Sequence, residues 1–291
     1  MARAEPKDSC GTSVRRLKLM ARTSAALLDR IGFLVLGLIA FLSTATAVPA
    51  TDHPPAAMTN RDWEALWTKV LSRHVDEGGR IDFAGLGADR SDLDRVVAFV
   101  AAIDPGSAPD RFASRQSRLA YYINAYNALA MHGVLEAGVP NGLGGLRKFS
   151  FFYFRTFTIG GQSISLYDFE NKIIRPLGEE RVHFALNCMV VSCPRLPRHA
   201  FAPDTLDSQL DAAARAFIGE DRNVHLDPAR REVWLSAIFD FYTEDFLGKS
   251  PNLMGYVNRY RAAPIPEDFK VRFLEYDWTV NNRARIGAGN R

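Results

Sequence analysis

The chain has little cysteine: Cys10, Cys188 and Cys193 are all there is in 291 residues. That excludes a small fold stapled by several bridges. Other signatures are missing altogether. There is no P-loop, no dinucleotide-binding glycine fingerprint and no HExxH helix, so the best-marked nucleotide and zinc-protease chemistries have no support. The one glycine cluster, Gly142 to Gly145, follows a helical pattern rather than a strand, which argues against a phosphate cradle. No apolar run reaches the ~20 residues needed to cross a bilayer. Internal repeats and low-complexity tracts are also absent. A lasting surplus of positive charge is lacking too. The chain carries 36 Lys/Arg and 33 Asp/Glu, but seven and three of these lie in the first 47 residues. The remaining 29 and 30 give residues 48–291 a net charge near −1. Nucleic-acid binding calls for a basic face, so no such partner is expected.

The N-terminus reads as a secretory signal. Arg15, Arg16, Lys18, Arg22 and Arg30 form a basic lead, Ile31 to Leu42 is an apolar run of 12 residues, and Ala45-Thr46-Ala47 offers a cleavage site. That is the order of regions in an exported chain. The expectation is a signal over 1–47, a linker over 48–59 built around Pro54-Pro55, and one globular domain over 60–291. Periplasmic or secreted localisation follows, with no membrane attachment after cleavage. Cys188 and Cys193 are then the cysteines left in a compartment that permits disulfides.

The pattern from residue 60 onward mixes helices with short hairpins. Helical spacing places Trp63, Leu66, Trp67 and Val70 on one face after an Asn60 cap, and Leu93, Val96, Val97 and Val100 on another. Arg80 to Phe83 reads as a short strand. The longest helix is expected from Ser114 to Leu135. Phe149 to Thr158 is aromatic-rich and β-like, and Gly160-Gly161 turns it into a hairpin with Ser163-Ile164-Ser165. Ser165 caps a helix through Ile174. Further on come a helix from Pro203 to Ile218, a hairpin over Asp227-Pro228, two more helices, and a last strand over Val271–Trp278. Without a βαβ rhythm, the class is α+β, with antiparallel hairpins around one core.

Residues 183–195 are the most informative segment. His183, Asn187, Cys188 and Cys193 supply a base, an orienting amide and two sulfurs. In one reading a thiolate of Cys188 or Cys193 is activated by His183. In the other, the two cysteines are a structural disulfide or buried thiols. Cys193 precedes Pro194 at a bend, whereas Cys188 sits closer to His183, so spacing does not choose between them. Asn124, Asn127, Asp168, Glu170 and Asn171 are polar residues inside apolar patterns and need partners. Asp168 or Asn124 is a candidate third member that orients the imidazole. Glu170 and Asn127 read as structural. His132 and His199 are secondary base candidates. A metal site from Cys188, Cys193, His183 and His199 has poor zinc spacing, and no cofactor is expected.

Several segments together resemble one family, the domain of unknown function numbered 547. They are Tyr122-Ile123-Asn124-Ala125-Tyr126-Asn127-Ala128-Leu129, Leu166-Tyr167-Asp168-Phe169-Glu170-Asn171, Arg181-Val182-His183-Phe184-Ala185-Leu186-Asn187-Cys188, Ser192-Cys193-Pro194 and Tyr276-Asp277-Trp278. The resemblance spans about 115–280 and implies a domain without an assigned reaction. That family often has glycine after the first cysteine, where Met189 stands here, so a positive-φ conformation there would be absent or strained. Two functions remain open. One is a cysteine-dependent hydrolase or acyltransferase of the cell envelope, papain- or transglutaminase-like in chemistry but with His before Cys. The other is a non-catalytic domain binding a peptide, glycan or small molecule, stapled by Cys188–Cys193.

Overall fold

Thr59 opens the first helix of the computed structural model, which describes residues 57–286. The expected signal and most of the expected linker lie outside these residues. The Thr59 hydroxyl accepts from the Asp62 N–H, and the Asp62 carboxylate accepts from the Thr59 N–H. This reciprocal box places the cap one residue before the expected Asn60 and starts α1, Asn60–His74. Asp82 caps α2, Phe83–Ala88, and draws the chain out of the extended form. The strand expected over Arg80–Phe83 is therefore reduced to single bridges from Ile81 to Val75 and Asn282. Helix α3, Ser91–Ala102, packs on α1, with the Trp63 indole donating to the Val96 carbonyl at 3.1 Å.

Ser114 caps α4, Arg115–Glu136, the central helix. Every residue from Leu119 to Met131 is buried. A helix surrounded on all sides needs apolar residues all round, and any polar residue on it needs a partner. Beyond it, α5, Leu146–Lys148, continues as a π-helical turn over Phe149–Phe154. This corrects the β-like reading of Phe149–Thr158. Phe151 and Phe152 are buried while Phe149 and Phe154 face solvent, a helical distribution rather than an alternating one. Only β1, Thr156–Ile159, is strand, and it pairs antiparallel with β2, Gln162–Ser165, across Gly160 and Gly161 at positive φ. Ser165 caps α6, Leu166–Asp168, which widens into a second π-helical turn, Phe169–Ile174, and a 3-10 turn, Arg175–Leu177.

A further 3-10 turn, Glu180–Phe184, leads into the cysteine loop and then α7, Leu206–Gly219. Strands β3, Val224–Asp227, and β4, Glu232–Leu235, form the second hairpin. Three short helices follow: α8 (Ala237–Phe241), α9 (Thr243–Leu247) and α10 (Leu253–Asn258). Then β5, Lys270–Phe273, joins β4 in parallel. The three-stranded sheet is therefore mixed, not built only of antiparallel hairpins. The α+β class stands. Helix α11, Arg283–Ile286, ends the described chain.

Two apolar clusters fill the interior. One surrounds α4; the other gathers Phe184, Phe217, Phe239, Phe246 and Tyr256. The expected last strand stops at Phe273, but the chain beyond it runs extended beside the cysteine loop. Val191 N–H donates to Thr279 O at 2.9 Å, and Asn281 N–H donates to Met189 O at 3.0 Å. On the other side Leu143 N–H donates to Trp278 O at 2.8 Å. This clamp holds the cysteine loop, Tyr276 and Trp278 in one place.

Candidate functional site

Asparagine amides build the frame of the site. From α4, Asn124 donates to Phe201 O at 2.7 Å and accepts from Phe201 N–H at 3.0 Å. One turn on, Asn127 donates to Ala185 O at 2.9 Å and accepts from Asn187 N–H at 2.7 Å. Asn187 repeats the device, donating to Pro194 O at 2.6 Å and accepting from Met189 N–H at 2.7 Å. Each side chain substitutes for a strand neighbour, pairing one main-chain carbonyl and one main-chain N–H. Met189 takes φ +65° and is wholly buried. The positive-φ conformation is thus kept without glycine, at a cost of about 1–3 kcal/mol.

The loop closed by Asn187 brings Cys188 and Cys193 together. Their Cα atoms are 6.3 Å apart and the sulfurs are joined as a disulfide. The Tyr276 hydroxyl lies 3.3 Å from each sulfur. Cys188 is half-buried and Cys193 is buried. Both line a cleft of about 350 Å³ together with His183, Glu170, Arg175, Tyr126, Tyr242, Lys148 and Trp278. That is the size of a small-ligand site.

His183 is fixed from two sides. Its ring stacks on Tyr242 at 3.7 Å, and its Nε2 lies 2.7 Å from Asp245 Oδ2. A carboxylate can only accept, so Nε2 carries a proton and the buried Nδ1 has no partner among the described residues. Arg175 also grips Asp245, with Nε and Nη2 at 2.8 and 2.9 Å. Burial would raise the Asp245 carboxyl, but the His183 and Arg175 hydrogen bonds outweigh it and hold the group well below the usual carboxylate range. In turn, the Asp245 bond raises Arg175 despite its burial.

Glu170 is 8% exposed and sits in the same cleft. Tyr126 O–H donates to it at 3.2 Å. No Lys or Arg pairs with it among the described residues. Burial first, and the Glu170 charge second, push the Tyr126, Tyr242 and Tyr276 phenols up. The phenols therefore stay neutral donors around one carboxylate. Lys148, at the rim, lies over the Trp278 ring at 4.7 Å and the Phe241 ring at 5.8 Å.

The expected site residues divide cleanly. Cys188, Cys193 and His183 share the cleft, though no hydrogen bond joins the imidazole to either sulfur. Asn187 braces the cysteine loop from behind, and Asn124 does the same for the chain at Phe201. Asp168 does not reach the cleft: it is half-exposed and paired with Lys172 at 2.8 Å. His132 lies elsewhere, 2.9 Å from Arg90, and His199 is exposed. Glu170, expected to be structural, lines the cleft instead. Asp245, Arg175 and Tyr242 carried no signal local enough to be singled out. No three of His, Cys, Asp and Glu gather as metal ligands among the described residues.

Residues 110–218 match the family model described as "Protein of unknown function, DUF547". The match supports the resemblance seen in the motifs. It contains every cleft residue from Tyr126 to Pro194, and it stops short of Tyr242, Asp245 and Tyr276. No curated protein and no solved structure matches the chain.

Proposed function

We propose that the cleft is the active site of a thiol-dependent hydrolase or acyltransferase of an exported protein, with the Cys188–Cys193 disulfide as its resting form. The observation that carries this reading is the shared cleft: two cysteines and a histidine line it, and Nε2 of that histidine is held by a carboxylate. That is the division of labour a Cys-His-Asp set requires. A dithiol reductant opens the bridge, giving two thiols and leaving the reductant as its own disulfide. Cys188, the more accessible sulfur, loses its proton to His183 Nδ1 and attacks an acyl carbon. The S–C bond forms, the leaving amine or alcohol takes the proton from His183, and water or a second acceptor cleaves the thioester. Asp245 keeps the imidazole in the tautomer that offers Nδ1.

A specific observation favours a second reading. The sulfurs are bonded to each other and no hydrogen bond joins His183 to either, as in a non-catalytic cleft with a staple. One experiment separates the two. The protein is reduced with a dithiol, treated with iodoacetamide across pH, and assayed on an activated ester. The catalytic reading expects Cys188 to alkylate well below pH 8.5. It also expects ester turnover that disappears in Cys188→Ser and falls at least ~100-fold in His183→Ala. Equal turnover in oxidised, reduced and Cys188→Ser protein leaves only the binding reading.

A further inference from the structure

We infer that the floor of this cleft recognises a primary ammonium group on the ligand, with Glu170 as its counter-ion. The inference rests on the cleft being the substrate site and names the substrate's chemistry. The charged side chains lining the cleft are Glu170, Arg175 and Lys148, and Asp245 stands against Arg175 and His183. Arg175 is committed to Asp245 by two hydrogen bonds and to Asn171 by a third at 2.6 Å. Glu170 is left more than nine-tenths buried, lining the cleft, hydrogen-bonded to the Tyr126 phenol and without a salt bridge to any Lys or Arg among the described residues, the Arg175 charge reaching it only at longer range. A buried carboxylate without a salt-bridge partner is costly, so an ammonium group arriving there is favoured.

The walls suit the same group. Aromatic rings of Tyr126, Tyr153, Tyr242 and Trp278 border the space, and their faces attract cations. The chain itself shows this in Lys148, whose ammonium already rests over Trp278 and Phe241. Lys148 pairs with no carboxylate among the described residues. It gives the cleft lining a positive group beside the Glu170 carboxylate. A ligand carrying both an ammonium and a carboxylate, as a peptide does, has a partner for each.

The test is calorimetric titration of the full-length chain, oxidised so that Cys188 and Cys193 stay bridged. The probes are n-hexylamine, hexan-1-ol, hexanoate and 6-aminohexanoate. The expected result is that the two amines bind at least ~10-fold more tightly than the alcohol or the acid. Glu170→Gln should erase that preference without changing the thermal melt. The wild-type series alone decides the matter if the variant does not fold. Hexanoate or hexanol binding as well as hexylamine, or a folded Glu170→Gln protein keeping the preference, overturns the inference. Because Cys188 and Cys193 are bridged and cannot react, amine selectivity can survive the loss of the catalytic reading, and its failure leaves that reading untouched.

Discussion

Two sets of buried polar groups stand back to back, and their hydrogen bonding separates them. On one side, Asn124, Asn127 and Asn187 each donate and accept, always with main chain. On the other, His183 leaves one ring nitrogen unpartnered and Glu170 has phenols but no cation. Both sets occupy the interior, and both are polar residues in apolar patterns. Satisfied groups specify a single loop conformation, whereas under-satisfied groups carry a penalty that only a ligand or a reaction relieves. The difference predicts opposite responses to mutation.

The frame should fail first. Asn187→Ala leaves the Met189 N–H and the Pro194 carbonyl buried and unpaired, at about 1–3 kcal/mol each, so a loss of about 2–6 kcal/mol is expected in urea melts. A loss below 0.5 kcal/mol would erase the distinction between frame and cleft, since about that much separates a neutral surface change from a structural one. Met189→Gly sharpens the same side. Relief of the positive φ returns about 1–3 kcal/mol. Emptying a wholly buried methionine site costs about 2–5 kcal/mol, and glycine adds chain entropy to the unfolded state. At the middle of both ranges the cavity outweighs the relief, so the variant is expected to be less stable by about 1–2 kcal/mol. A more stable Met189→Gly would mean that the backbone strain outweighs the packing.

The frame and the cleft were unequally legible in the sequence. Cys188, Cys193 and His183 fall within eleven residues, so density alone marked them. Asn124 and Asn127 were visible as polar residues on an apolar helix, and their spacing fits one face. By pattern Glu170 reads as structural, and Asp168 and Asn124 are equal candidates to orient the imidazole. The helix there widens into a π turn from Phe169, so faces counted at α-helical spacing do not hold across it. Asp245 lies 62 positions from His183, in an unremarkable acidic helix start. Only tertiary contact assigns it. The fold shows the same contrast. Both hairpins were readable from Gly160-Gly161 and Asp227-Pro228, while the parallel pairing of β5 with β4 depends on a long excursion that no local pattern records.

Acid should act on the Asp245 side of the cleft. Its carboxyl is held below the usual range in the folded chain, so the folded state binds the proton less readily than the unfolded state does. That contribution to stability is fully present above the ordinary carboxylate pKa of about 4 and is lost as pH falls below it toward the depressed value. Asp245→Asn should flatten this part of the pH–stability curve between about pH 4 and 2, at a fixed ionic strength. An unchanged slope in the variant would show that His183 and Arg175 do not select the ionised form.

Glu170→Gln is expected to change stability least, by no more than about 1 kcal/mol and in either direction. The amide keeps the volume and can still accept from Tyr126. It removes a charge that no cation compensates, so desolvation is relieved while the polar contact survives. Chemical denaturation of both proteins without ligand provides the measurement. A large loss, comparable with that of Asn187→Ala, would place Glu170 in the frame after all. The near-neutral result is what a residue held ready for a ligand should give, because its full interaction is not made until the ligand arrives.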